Sequence, residues 1–174
     1  IALSLFLCPV YIYSEILYVD LNTQSITTKP NTTHHTTAPQ GGEVRLAHVG
    51  NFHHHNPFRR LGKSARESNL AYDSLLIPAP HNGNRLFYGH LAKSISLLPN
   101  QKGFIITLQP HATFANHKPV LAEDVIASIK HMYTHGPWIA RGLLEHEPSF
   151  KALDPRTIEI RFTSDVQIDT LTSL

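Results

Sequence analysis

The chain has 174 residues, 41% of them hydrophobic and 16% charged, a balance too apolar and too weakly charged for a wholly disordered protein. Fifteen Lys and Arg against thirteen Asp and Glu leave a formal charge of +2 with no basic block, since Arg59-Arg60 is an isolated pair. This excludes the electrostatic footprint of a nucleic-acid-binding or anionic-membrane-binding protein. The single cysteine, Cys8, excludes an internal disulfide.

The apolar opening, Ile1 through Tyr13, is too short to span a bilayer as a helix, which takes about 20 residues. It has the length of a signal-peptide core, and residues 1–21 are read as a signal-peptide-like segment. No basic stretch precedes the core, and Ile12 stands where a small residue is preferred before cleavage. Cys8, flanked by Leu7 and Pro9, fits neither a lipoprotein site nor a nucleophile. The competing reading is an ordinary buried strand or helix. Residues 22–40 are rich in Thr, Asn and His and hold one aliphatic side chain, Ile26. They cannot bury enough apolar surface to offset ordering, which predicts a flexible linker. Asn31-Thr32-Thr33 has the form of a glycosylation acceptor.

Residues 41–174 are read as the ordered domain. Alternation predicts a strand over 43–49, and Asn56-Pro57 marks a turn within the loop 50–60. Ser64, with Glu67 three residues on, predicts a capped helix reaching about residue 72. Leu75-Leu76-Ile77 is a short apolar run stopped by Pro78, and 78–84 is an exposed turn. Residues 93–98 and 104–108 read as an antiparallel hairpin, with Phe104, Ile106 and Leu108 on one face. The clearest helix covers 122–134: Val125, Ile129, Met132 and Tyr133 share a side, Glu123 and Asp124 occupy the first turn, and Gly136-Pro137 ends it. A short helix is expected near 140–146. Two strands, 150–153 and 158–162, flank the turn Asp154-Pro155-Arg156-Thr157.

The order and spacing of several pieces resemble a known family. They are Ala38-Pro39-Gln40-Gly41-Gly42, Gly50-Asn51-Phe52 with Asn56-Pro57-Phe58, Tyr72-Asp73-Ser74-Leu75-Leu76, and Tyr88-Gly89-His90-Leu91-Ala92. The most specific are Leu108-Gln109-Pro110-His111-Ala112-Thr113-Phe114 and Lys118-Pro119-Val120-Leu121-Ala122-Glu123-Asp124-Val125. The run from about 38 to 162 is similar to the extracellular solute-binding proteins that serve peptide and nickel importers, in particular the oligopeptide-binding branch associated with microcin uptake. Three places depart from that pattern. Ala115-Asn116-His117 replaces an Asp-Gly turn, Leu121 stands where a hydroxyl residue caps the helix, and His53-His54-His55 replaces acidic and small polar residues.

The resemblance implies an α/β fold with a mixed sheet and flanking helices, part of lobe I of a type II periplasmic binding protein. It implies a monomer in the periplasm that closes its two lobes over an oligopeptide and presents it to ABC permease subunits in the inner membrane. No enzyme activity, cofactor or nucleic-acid partner goes with it. Holding only part of lobe I, the chain alone is expected to bind weakly or not at all. A truncated, non-functional fragment is the further alternative.

Thirteen histidines raise a different possibility, a His-rich module for nickel or zinc. The candidates are His34-His35, His53-His54-His55, His146, and His131 with His135, four apart on one helical face. Surface histidines are the favoured reading, and no residue is assigned to a metal. Glu123 and Asp124 are adjacent on a helix and point in different directions, so they do not face one substrate. There is neither a Gly-x-Ser-x-Gly elbow nor a phosphate-binding Gly-rich loop, and no catalytic residue is assigned. For ligand binding, the loop Gly50, Asn51, Phe52 comes first, then Tyr72 and Asp73, then Trp138. Against this stands the ordinary core role of Phe52, Phe58 and Tyr72.

Overall fold

The computed structural model describes residues 15–20, 23–30, 50–59, 61–66, 68–78, 86–135 and 148–173. The signal-like core, the glycosylation acceptor, the strand over 43–49, the turn over 79–84, the helix near 140–146, and Trp138 lie outside them.

Two four-stranded sheets and one α-helix make up the described fold. The first sheet has the order β2-β1-β4-β3, with β1 Glu15–Asp20, β2 Ser25–Pro30, β3 Leu76–Pro78 and β4 Leu86–Gly89. The second has the order β5-β6-β8-β7, with β5 Ala92–Leu97, β6 Gly103–Leu108, β7 Ser149–Asp154 and β8 Thr157–Arg161. The α/β class holds. Every described strand pair is antiparallel, however, where a mixed sheet was expected. Tight turns account for the β5–β6 and β7–β8 pairs, since a parallel neighbour needs a crossover of a dozen or more residues.

The amino-terminal boundaries are corrected. Glu15–Asp20, assigned to the signal-like segment, is a strand whose Leu17 and Val19 are buried in the core. Ser25–Pro30, assigned to the flexible linker, is the edge strand beside it, through a turn at Thr23 and Gln24, with Gln24 at φ 49°. A polar edge strand needs little apolar surface of its own. Ile26 packs against the core, Lys29 Nζ lies 5.3 Å from the centre of the Tyr18 ring, and Thr27 and Thr28 are β-branched. The helix expected over 64–72 shrinks to a 3-10 turn, Ser68–Ala71. Ser64 is drawn into a bridge with His54 instead of capping a helix.

The second sheet carries the core. Phe104, Ile106 and Leu108 of β6 are fully buried, as are Ile158 and Ile160 of β8, and Phe104 pairs with Ile160 and Ile106 with Ile158. Period-two alternation thus places one apolar stripe on each strand against the same interior. Phe162 closes the end of the stripe, its ring edge-on to Phe104 at 6.4 Å. Helix α1, Ala122–His135, turns Ala122, Val125, Ile126 and Ile129 onto this core and packs against β7 and β8. Leu121 offers no side-chain acceptor at the cap. Asp124 Oδ2 instead accepts the Leu121 N–H at 2.8 Å, the backward half of a capping box. The Ala122 N–H donates to Pro155 O at 2.8 Å, tying the helix start to the β7–β8 turn.

Tyr88 through Ala92 is the crossing from the first sheet to the second and leads into the β5–β6 hairpin. His90 and Ala92 N–H both donate to Leu75 O, and Leu91 N–H to Ser74 O. Gly89 is required at this corner, because a Cβ there would collide with the Ala92 carbonyl and the Leu17 side chain.

Candidate functional site

The loop 50–66 folds back on itself through two imidazoles. His53 N–H donates to Lys63 O at 2.8 Å, and Lys63 N–H donates to His53 Nδ1 at 2.9 Å. Because His53 Nδ1 accepts, the proton of the neutral ring sits on Nε2. One residue on, Ala65 N–H donates to His54 O at 2.9 Å, and His54 Nε2 is 2.9 Å from Leu61 O. A carbonyl only accepts, so His54 Nε2 carries its proton and Nδ1 does not. That Nδ1 is buried without a hydrogen-bond partner among the described residues. His55 takes a third part, its ring edge-on to Phe52 at 4.7 Å. The three consecutive histidines are therefore struts of a loop, pointing to three different neighbours. No three His, Cys, Asp or Glu side chains among the described residues come together to hold a metal.

Elsewhere in the loop, Phe58 N–H donates to Asn56 Oδ1 at 2.9 Å, a local Asx turn consistent with the Asn56-Pro57 signal. Gly50 opens the loop at φ 109°, a conformation side chains with a Cβ rarely adopt, and Lys63 Nζ lies beside it. These bonds hold an apolar display. Phe52 and Tyr72 are 45% and 49% exposed, and Leu61 and Leu70 more so, at 77% and 60%. Phe52 and Tyr72 are thus not core residues. Phe58, half-buried, supports Tyr72 edge-on at 5.0 Å and so joins Tyr72 to the loop.

Asp73 turns the other way. Its Oδ1 lies 3.1 Å from His90 Nε2, and both side chains are largely exposed, so the contact clips the 72–75 segment to the sheet crossing rather than forming a buried ion pair. The structure therefore places Gly50, Asn51 and Phe52 on one pinned loop with Tyr72 docked to it through Phe58, and Asp73 beside that aromatic. Trp138 lies outside the described residues. The supporting roles of His53, His54 and Phe58 had no signature in the chain. Two of them depend on ring nitrogens meeting backbone groups up to ten residues away.

The carboxylates with displaced affinities lie elsewhere, around the β7–β8 turn. Asp154 is held below the ordinary carboxylate range first by the Arg156 backbone N–H that it accepts, and Glu159 first by its paired hydrogen bonds from Arg161. Arg156 Nη1 also donates to Gln109 O at 2.7 Å, bracing that turn against the buried end of β6. These are structural contacts, remote in sequence from the loop.

Among known proteins, the model of the bacterial extracellular solute-binding proteins, family 5 Middle, matches residues 87–173. A Sinorhizobium fredii protein termed uncharacterized protein y4wM is 33% identical over 91 residues, covering 52% of this chain and 14% of that protein. The Agrobacterium fabrum "probable peptide-binding protein YejA" is 32% identical over 105 residues, 60% of this chain and 17% of that protein. An uncharacterized Escherichia coli protein, YejA, is 25% identical over 134 residues, 77% of this chain and 22% of that protein. The chain thus spans between 14% and 22% of the length of these relatives. The crystal structure of the ABC transporter substrate binding protein CtaP from Listeria monocytogenes overlaps 49% of this chain and 19% of its own, with a TM-score of 0.44 and 19% identity.

Proposed function

The chain belongs to the bacterial extracellular solute-binding proteins of family 5, and on that premise we propose that it captures oligopeptides for an ABC importer. In this reading it works in the periplasm as a monomer, hands its ligand to inner-membrane permease subunits, and performs no chemistry on it. The name of the Agrobacterium relative supports a peptide as the solute.

One observation carries the placement of the ligand surface. Phe52 stands exposed on a loop whose backbone is pinned by His53, His54 and Asn56, and the exposed Tyr72 packs against that loop through Phe58. An extended peptide presents apolar side chains alternating with main-chain donors and acceptors. Exposed rings on a pre-ordered loop meet the side chains at little entropic cost. The Asp73 side chain has acceptor capacity beyond its contact with His90, which suits a peptide N–H or terminal ammonium. Gly50 and Asn51, next to Phe52 on the same loop, and Trp138 complete the proposed contact set.

Millimolar mixtures of tri- to pentapeptides added to the isotopically labelled chain test this, since NMR shifts detect the weak binding expected of part of a cleft. The expected result is a set of shift changes concentrated on 50–59 and 72–73, lost in the Phe52→Ala/Tyr72→Ala variant. Peptides that move no signal in those segments, or move them equally in the variant, overturn the assignment.

A further inference from the structure

We propose that His131 and His135 form a two-imidazole clip for a divalent transition cation at the carboxyl end of α1. The two rings stack face to face, with centroids 4.6 Å apart and planes 23° from parallel. Both residues are exposed, so neither ring is held by packing in the core. Their spacing of four on a regular helix puts both on one face. Two nitrogens bound at about 2.0–2.1 Å to one tetrahedral ion lie roughly 3.3 Å apart. Both side chains are exposed, so the rings can reorient out of the stack to bring their nitrogens to that span on a fixed helix.

The position adds to the geometry. The carboxyl end of a helix carries partial negative charge from its last carbonyls, which favours a cation. The helix is anchored to the sheet by Ala122, Val125, Ile126 and Ile129, so the clip sits on a rigid support. Imidazole selects the zinc, nickel and copper class over calcium or magnesium, and two protein ligands leave the remaining positions to water or an exogenous group. The clip differs from the His53-His54-His55 run, where two of the three rings are already bonded to the backbone. The proposal does not depend on the peptide reading.

Folding linkage separates the clip from other histidines of the chain. His131 and His135 share an ion only while the helix exists, so an ion bound there stabilises the folded state. Histidines in a locally flexible tract bind folded and unfolded chains alike and stabilise neither. Nickel chloride added to the full chain at pH 7.5, followed by thermal unfolding, is the test. A hundredfold excess over the dissociation constant shifts the folding equilibrium about a hundredfold and raises the midpoint. His131→Ala and His135→Ala should each abolish most of that rise. Alanine is a good helix former at both positions, so the variants keep the fold. In parallel, substoichiometric copper should broaden the His131 and His135 ring signals first. A midpoint unmoved by nickel, a rise that survives in the double variant, or broadening centred on other histidines overturns the proposal.

Discussion

Replacing Phe104 with Ala probes whether the second sheet is the energetic core. Phe104 is fully buried on the central strand β6, paired with Ile160 and edge-on to Phe162. Removing a buried Phe costs about 3–5 kcal/mol through lost transfer energy and the cavity left behind. A domain of ordinary stability has only about 5–15 kcal/mol in all. With a urea slope of about 2 kcal/mol/M, the unfolding midpoint should fall by about 1.5–2.5 M with the slope unchanged. Phe162→Ala, measured singly and with Phe104→Ala, should show a coupling of about 0.5–1.5 kcal/mol, the contribution of an edge-to-face pair beyond its area. Urea unfolding followed by circular dichroism measures all four proteins. A midpoint drop below about 0.5 M, or no coupling between the two rings, would refute the assignment of this stripe as the centre of the fold.

Other consequences are cheaper to check. Leu121→Ser supplies the missing helix cap and should add about 1 kcal/mol, while Asp124→Ala, which frees the Leu121 N–H, should lower stability by about 0.5–2 kcal/mol; urea midpoints read both. Asp154 and Glu159 have affinities depressed by folding, so their contribution is present above the unfolded carboxylate range and is lost as the pH falls through the lower folded values. Asp154→Asn and Glu159→Gln should therefore flatten the fall of stability below about pH 4 and leave its slope near neutrality unchanged, as pH-dependent unfolding would show. His53→Ala removes the acceptor for Lys63 N–H, and faster amide exchange at Lys63 with little change in the global midpoint is expected; protection equal to the parent would mean the ring does not hold the loop.

The strongly periodic elements were legible in the chain, because burial on one face imposes a pattern that needs no partner to be recognised. Phe104, Ile106 and Leu108 alternate toward the interior, as do Ile158, Ile160 and Phe162, and Val125 and Ile129 repeat at helical spacing. The family likeness was legible too, since order and spacing of short motifs survive where single residues drift. Candidate loop residues could be named, but not what holds them. The His53-to-Lys63 and His54-to-Leu61 bonds join side-chain nitrogens to backbone groups, and backbone groups are the same for every residue.

Tertiary structure alone decided three things. It made a strand of the polar stretch Ser25–Pro30, because β1 supplies the hydrogen-bond ladder and most of the buried surface. It denied Ser64 a helix, because a bridge to His54 claimed that residue first. And it left Phe52 and Tyr72 exposed, when their composition alone argued for the core. A residue's own chemistry sets how much apolar surface it can bury. Whether it does so depends on which neighbours the chain brings back to it, and that follows from the whole fold.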